Sequence, residues 1–260
     1  MIRRFGVIAC LALLAGGCGH TIFVPPGGPG VVTDASEAWT AATASCKGAQ
    51  HYSAALKISG RAGSQRIWHL AIDTAVTPTQ IYMGATFSGQ PVFVLAGSAK
   101  EATLWLRREQ RAVKAPAGDI IEAILGLAMP PDRLLALLTG CATRSLDVTA
   151  AASHNGLVAV QTADARVFIE RQGTVWRTRG AEAEGFRVEF LWKTSALPEK
   201  VWIRSTPGRE PSASLDVSVA DPTISDQIPA SVFNPPSGAA SADPMTLDEL
   251  RSAGSWRKKP

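Results

Sequence analysis

The 260-residue chain is short of the residues and spacings on which most protein chemistry depends. Its four histidines, His20, His51, His69 and His154, show no HExxH spacing and no neighbouring set of cysteines or carboxylates. A zinc-type centre needs three or four such ligands together, so the pattern offers no metal site. No G-x-S-x-G elbow or Gly-rich phosphate loop occurs, and Asp147 with His154 is a pairing any loop can contain. These absences argue against an enzyme and call for no cofactor. Only 18% of the residues are charged, below the usual quarter. The formal charge is +4, and two of the positives, Arg3 and Arg4, fall in a leader expected to be removed. The small excess that remains is spread evenly, whereas a nucleic-acid binder concentrates Lys and Arg to displace counterions. Nucleic acid is therefore not an expected partner. The apolar run near the N-terminus is shorter than the roughly 20 residues that span a bilayer.

What is present begins with that run. Arg3-Arg4, the apolar stretch Phe5 to Leu14 and the small residues Ala15-Gly16-Gly17 have the three parts of a secretory signal over residues 1–17. Cys18 follows directly. Ala15-Gly16-Gly17-Cys18 resembles the lipobox of bacterial lipoproteins, with Ala where Leu is commonest. That resemblance implies a lipidated Cys18 as first mature residue, holding the protein on a membrane through acyl chains worth roughly 0.8 kcal/mol per buried CH₂. A plain secretory signal with an incidental Cys is the alternative. By analogy with the sorting rule of enteric bacteria, Gly19 after the lipidated Cys implies the periplasmic face of the outer membrane. Residues 18–32 include Pro25-Pro26-Gly27-Gly28-Pro29-Gly30, which suits a tether.

One domain is expected over residues 33–235, followed by a flexible tail over 236–260. In that tail Thr246 and Glu249 have capping-box spacing for a short helix, and the end is basic at Arg257-Lys258-Lys259. Asp34 to Lys47 suits a first helix. Period-two alternation then dominates. Trp68, Leu70 and Ile72 share one face with His69 on the other; Ile81 and Met83 oppose Tyr82; Leu104 and Leu106 oppose Trp105. In the second half Phe186, Val188, Phe190 and Trp192 alternate with Arg187, Glu189 and Leu191. Between these halves the period changes. Asp119 to Leu127 carries Ile120, Ile121, Ile124, Leu125 and Leu127, and a Pro-started segment carries Leu134, Leu135, Leu137 and Leu138 up to Gly140. Two helices so apolar need cover. The fold class is mainly β (α+β): a strongly curved antiparallel sheet, or incomplete β-barrel, of about eleven strands whose concave face the helices lid or plug.

The order of one helix, about six strands, two apolar helices and more strands resembles the LolA/LolB type of periplasmic lipoprotein carriers and receptors. The resemblance is carried by Leu56-Lys57-Ile58-Ser59-Gly60-Arg61 and by the segment from Asp119 to Gly140. It implies an incomplete β-barrel with a helical lid over a cavity for acyl chains, and a periplasmic carrier protein as partner. The receptor's protruding loop with an exposed Leu is not placed by the sequence; the nearest hairpin, Phe87-Ser88-Gly89-Gln90-Pro91, is short and offers only Phe87.

The residues make a case for lipid on their own. A lipid site needs apolar walls beyond those of a dry core, and a movable cover. The candidate walls are Trp68, Leu70, Ile72, Ile81, Met83, Leu104, Leu106, Phe186, Val188, Phe190 and Trp192; the candidate lid is Ile120, Ile121, Ile124, Leu125, Leu127, Leu134, Leu135 and Leu138. Arg61 reads as a surface residue or a lid latch. Cys46 and Cys141 are expected to be joined in an oxidising periplasm, tying the first helix to the lid, with two buried thiols as the alternative. Two functions follow. The chain is a membrane-anchored lipoprotein that binds acyl chains of lipoproteins or phospholipid and takes part in their transfer, or a structural or interaction lipoprotein of the cell envelope with a filled interior.

Overall fold

The alternating runs form strands of a single sheet, and the sheet's connectivity explains why the two apolar helices lie where they do. The structure is a computed structural model that describes residues 35–253 apart from 64, 88–89, 144, 155–156 and 209–211. The leader, Cys18, the tether and the basic end lie outside the described residues.

A first antiparallel meander comprises β1 (Tyr52–Ala62), β2 (Gln65–Val76), β3 (Gln80–Phe87), β4 (Gln90–Ser98), β5 (Ala102–Leu106) and β6 (Arg111–Ala115). A second comprises β7 (Ala150–His154), β8 (Leu157–Gln161), β9 (Ala165–Gln172), β10 (Val175–Ala183), β11 (Phe186–Leu191), β12 (Lys200–Ser205) and β13 (Ala213–Ile224). The two join at the middle of the sheet, where β1 lies antiparallel to β13 with Leu56 opposite Val219 and Ile58 opposite Val217. With β14 (Asp243–Pro244) beside β6, the result is one open, curved sheet of 14 strands running from β14 and β6 at one edge to β7 at the other. The expected count of about eleven falls short mainly at β7 and β14. Ala-rich β7 has little hydrophobic contrast, and the two residues of β14 are too few to show a period.

The helices are α1 (Ala35–Ala42), α2 (Ala44–Gly48), α3 (Ala117–Leu125), α4 (Pro131–Leu138) and α5 (Leu247–Ala253). Chain order places α3 and α4 between β6 and β7, on opposite edges of the sheet. The connection must cross a face, and a backbone crossing the concave face is buried on nearly all sides. That is why its side chains are apolar beyond one stripe. Gly126 stops α3 in the left-handed region at φ 73° and donates to the Glu122 carbonyl, a conformation that costs any residue with a Cβ. Pro131 then starts α4 at a position where its missing N–H is harmless.

Of the flexible tail expected over 236–260, the described part, up to Ala253, packs onto the domain instead. Met245 and Leu250 belong to the core, with Leu250 fully buried, and α5 packs against α3. β14 runs parallel to β6, and the Met245 N–H donates to the Ala112 carbonyl. Thr246 and Glu249 cap α5 reciprocally: Glu249 accepts from the Thr246 N–H at 2.8 Å, and the Glu249 N–H donates to the Thr246 hydroxyl at 3.2 Å. Arg111 on β6 pairs with Glu249 at 2.9 Å. The Thr246 backbone and the Arg111 guanidinium hold the Glu249 carboxyl at about 2, well below its ordinary value. A few apolar side chains among small polar ones concealed this docking, and with it the padding of one sheet edge.

Candidate functional site

Where α3 and α4 lie on the middle of the sheet they enclose a cavity of about 40 Å³. The sheet side is Leu56 and Ile58 of β1, Met83 of β3, Val201 and Ile203 of β12, and Leu215 and Val217 of β13. The helix side is Ile121, Leu125, Leu127, Met129, Leu134, Leu137 and Leu138. Every lining residue is apolar, so no titratable group or hydrogen-bond donor on a side chain faces the void. At about 40 Å³ it exceeds the roughly 10–15 Å³ that one water occupies, but a void without polar partners stays dry. As it stands it is much smaller than an acyl chain, so a chain could enter only as α3 and α4 move off the sheet.

The expected wall residues separate into three groups. Met83 lines the cavity. Ile72, Ile81, Leu104, Leu106, Phe186, Val188, Phe190 and Trp192 are buried in the same continuous core but away from the void, and Leu70 is half-buried at its margin. Trp68 is on the wrong face for a wall: it is 62% exposed on the convex side. The cause is a β-bulge. Ile58 pairs with Leu70 and Gly60 with Ile67, so Trp68 and His69 together oppose Ser59. The extra residue reverses the phase, burying Ile67 and turning Trp68 out. His69 adopts φ 43° there, and its Nδ1 lies 3.1 Å from the Ser59 hydroxyl oxygen. Gly60 fits because a Cβ at that position would strike the Ser214 carbonyl.

Of the expected lid residues, Ile121, Leu125, Leu127, Leu134 and Leu138 border the cavity, and Ile120 and Ile124 are buried elsewhere in the core. Leu135 faces a separate groove of about 270 Å³ beside Cys46 and Cys141. Those cysteines are joined in a disulfide with Cα atoms 6.0 Å apart, which ties α2 to the chain leaving α4. Trp192 packs against Gly140 at the same end, its indole N–H donating to the Thr178 carbonyl at 2.6 Å. On α4 the Arg133 guanidinium lies 5.4 Å from the Phe186 ring centre, a cation–π contact between lid and sheet. Arg61 is exposed on the outer face of β1. Among the described residues no group of three His, Cys, Asp or Glu is placed to hold a metal ion.

Sequence reasoning missed Leu56, Ile58, Val201, Ile203, Leu215 and Val217 as cavity residues. They alternate as clearly as the ones chosen. What singles them out is the pairing of β1 with β13 at the centre of the sheet, a contact between distant parts of the chain that no local period displays.

No family model and no curated protein matches the chain. Among solved structures it is similar to a DUF1329 family protein from Desulfovibrio piger, at 9% identity and a TM-score of 0.48, over 76% of this chain and 96% of that one. A LolA superfamily protein from Nitrosomonas europaea is similar at 8% identity and a TM-score of 0.44, over 75% and 98%. The lipoprotein LppX of Mycobacterium tuberculosis is similar at 11% identity and a TM-score of 0.30, over 71% and 92%. The open curved sheet crossed by helices is the architecture that the LolA/LolB resemblance implies, and what it does follows from this chain's own residues.

Proposed function

We propose that the domain takes an acyl chain of a lipoprotein or phospholipid between the concave sheet and the α3–α4 crossing. As a lipoprotein anchored through Cys18 to the periplasmic face of the outer membrane, it takes part in the transfer of such cargo to that membrane or its insertion there, receiving it from a periplasmic carrier. No chemical step is involved. The observation that carries this reading is the cavity lining. Both sides of the contact are wholly apolar, so separating them exposes a surface that lipid covers as well as protein does.

Native mass spectrometry of the full chain carrying Cys18→Ser, purified from a bacterial envelope, tests it. An added mass equal to a phospholipid or acylated peptide is expected. It should disappear in Val217→Phe, which fills the void while leaving the lid in place. A bare mass, indifferent to added lipid, sinks the reading. One observation favours the second reading, an interaction lipoprotein with a filled interior: the cavity holds only about 40 Å³. That reading predicts the bare mass.

A further inference from the structure

The outer face of the β1–β2 hairpin carries a cluster that the cavity and lid do not use. Arg61 and Arg66 stand directly opposite each other across the two strands, a register in which like charges repel. Arg61 has no ion pair among the described residues, and Arg66 meets only the Trp68 ring, its guanidinium 3.6 Å from the ring centre. Both border an open hollow of about 450 Å³ with Ser59, Trp68, His69 and Asp216. Asp216, the carboxylate among the hollow's lining residues, is held by Arg204 at 2.6 Å. Two arginines thus face solvent beside a large indole that the bulge has turned away from the core. The Arg66–Trp68 stacking is the one favourable contact of the pair among the described residues, and it leaves the charge of Arg61 without a partner among them.

We infer that this patch is a membrane-docking surface for anionic phospholipid. An indole with an apolar body and a polar N–H settles at headgroup depth. Guanidinium groups meet phosphate oxygens through paired N–H donors, and the repulsion between Arg61 and Arg66 is relieved by an anion placed between them. Residues 19–34 reach at most about 55 Å when fully extended, so a domain anchored at Cys18 stays close to the leaflet that the patch would touch. The inference does not depend on whether the interior accepts an acyl chain.

The test is sedimentation of the full chain, carrying Cys18→Ser so that no anchor contributes, with vesicles of phosphatidylcholine alone or mixed equally with phosphatidylglycerol. Binding to the mixed vesicles only is expected. Arg61→Gln with Arg66→Gln should weaken it about 30-fold and Trp68→Ser about tenfold. The control pair Arg171→Gln with Lys200→Gln, which removes the same charge from exposed strand positions elsewhere, should leave it unchanged. Thermal unfolding identifies any variant that fails to fold, and Trp68→Ser, at an exposed position, suffices without the arginine pair. Equal binding to both vesicle types, an equal loss in the control pair, or capture of inorganic phosphate without vesicle binding would each overturn the assignment.

Discussion

The two faces of β1 and β2 obey opposite rules. Inward, Leu56, Ile58 and Ile72 are almost fully buried and continuous with the lid. Outward, Arg61, Arg66 and Trp68 are exposed, and the two arginines repel. A buried apolar side chain always stabilises, so its presence alone says little about purpose. An exposed indole stacked by Arg66, beside an Arg61 that faces Arg66 across the strands, adds little to the folded domain, so its explanation lies outside the domain. The outer face is therefore the more informative of the two, although the inner face holds the buried apolar core.

The largest expected effect lies on the inner side. Reducing the Cys46–Cys141 bridge, which closes 95 residues of chain, should lower unfolding free energy by up to about 4.7 kcal/mol in the chain-entropy model, read by denaturant titration with and without reductant. Next, Leu215→Ala, at a 2% exposed cavity position, should cost about 3 kcal/mol with an unchanged denaturant slope. A cost below about 1 kcal/mol would mean that the seam is already loose, and the contrast between faces would fail.

The outer side gives smaller effects of the other sign. Arg61→Glu puts opposite charges across β1 and β2 and should raise stability by about 0.5 kcal/mol while weakening vesicle binding about 30-fold, the same charge change as the double Gln variant. Loss of both stability and binding would break the comparison. The smallest effect concerns the docked C-terminal segment. The Glu249 carboxyl is held at about 2 in the folded state, so its contribution is complete above the ordinary value of 4.5 and is lost as pH falls from there towards 2. Methyl NMR signals of Leu250 should shift over that window, and Glu249→Gln should remove the dependence.

Much of the architecture was legible because burial on one face of a strand writes itself into alternate residues. Phe186, Val188 and Phe190 face inward with no exception, and the change of period at Pro116 marks the crossing helices. What was hidden had one of two physical causes. Trp68 was assigned to the interior because a bulge adds a residue without disturbing the pattern on either side. Val201, Ile203, Leu215 and Val217 escaped notice as cavity residues because being central is a property of the pairing order, decided by β1 meeting β13. Leu250 was read as tail for the second cause as well, since its partners on α3 lie far away in sequence.

The pairing order also dictates how the chain can reach this structure. Each meander is a series of neighbouring hairpins, so each half can zip up by short loop closures. Joining Ala62 to Ala213 closes a loop of roughly 150 residues, the costliest closure in the sheet, and so the slowest to form. The expected kinetics are two fast, nearly independent phases and one slow association of halves, with the α3–α4 segment, fixed to an edge strand of each half, drawing the free ends of both together like a clasp.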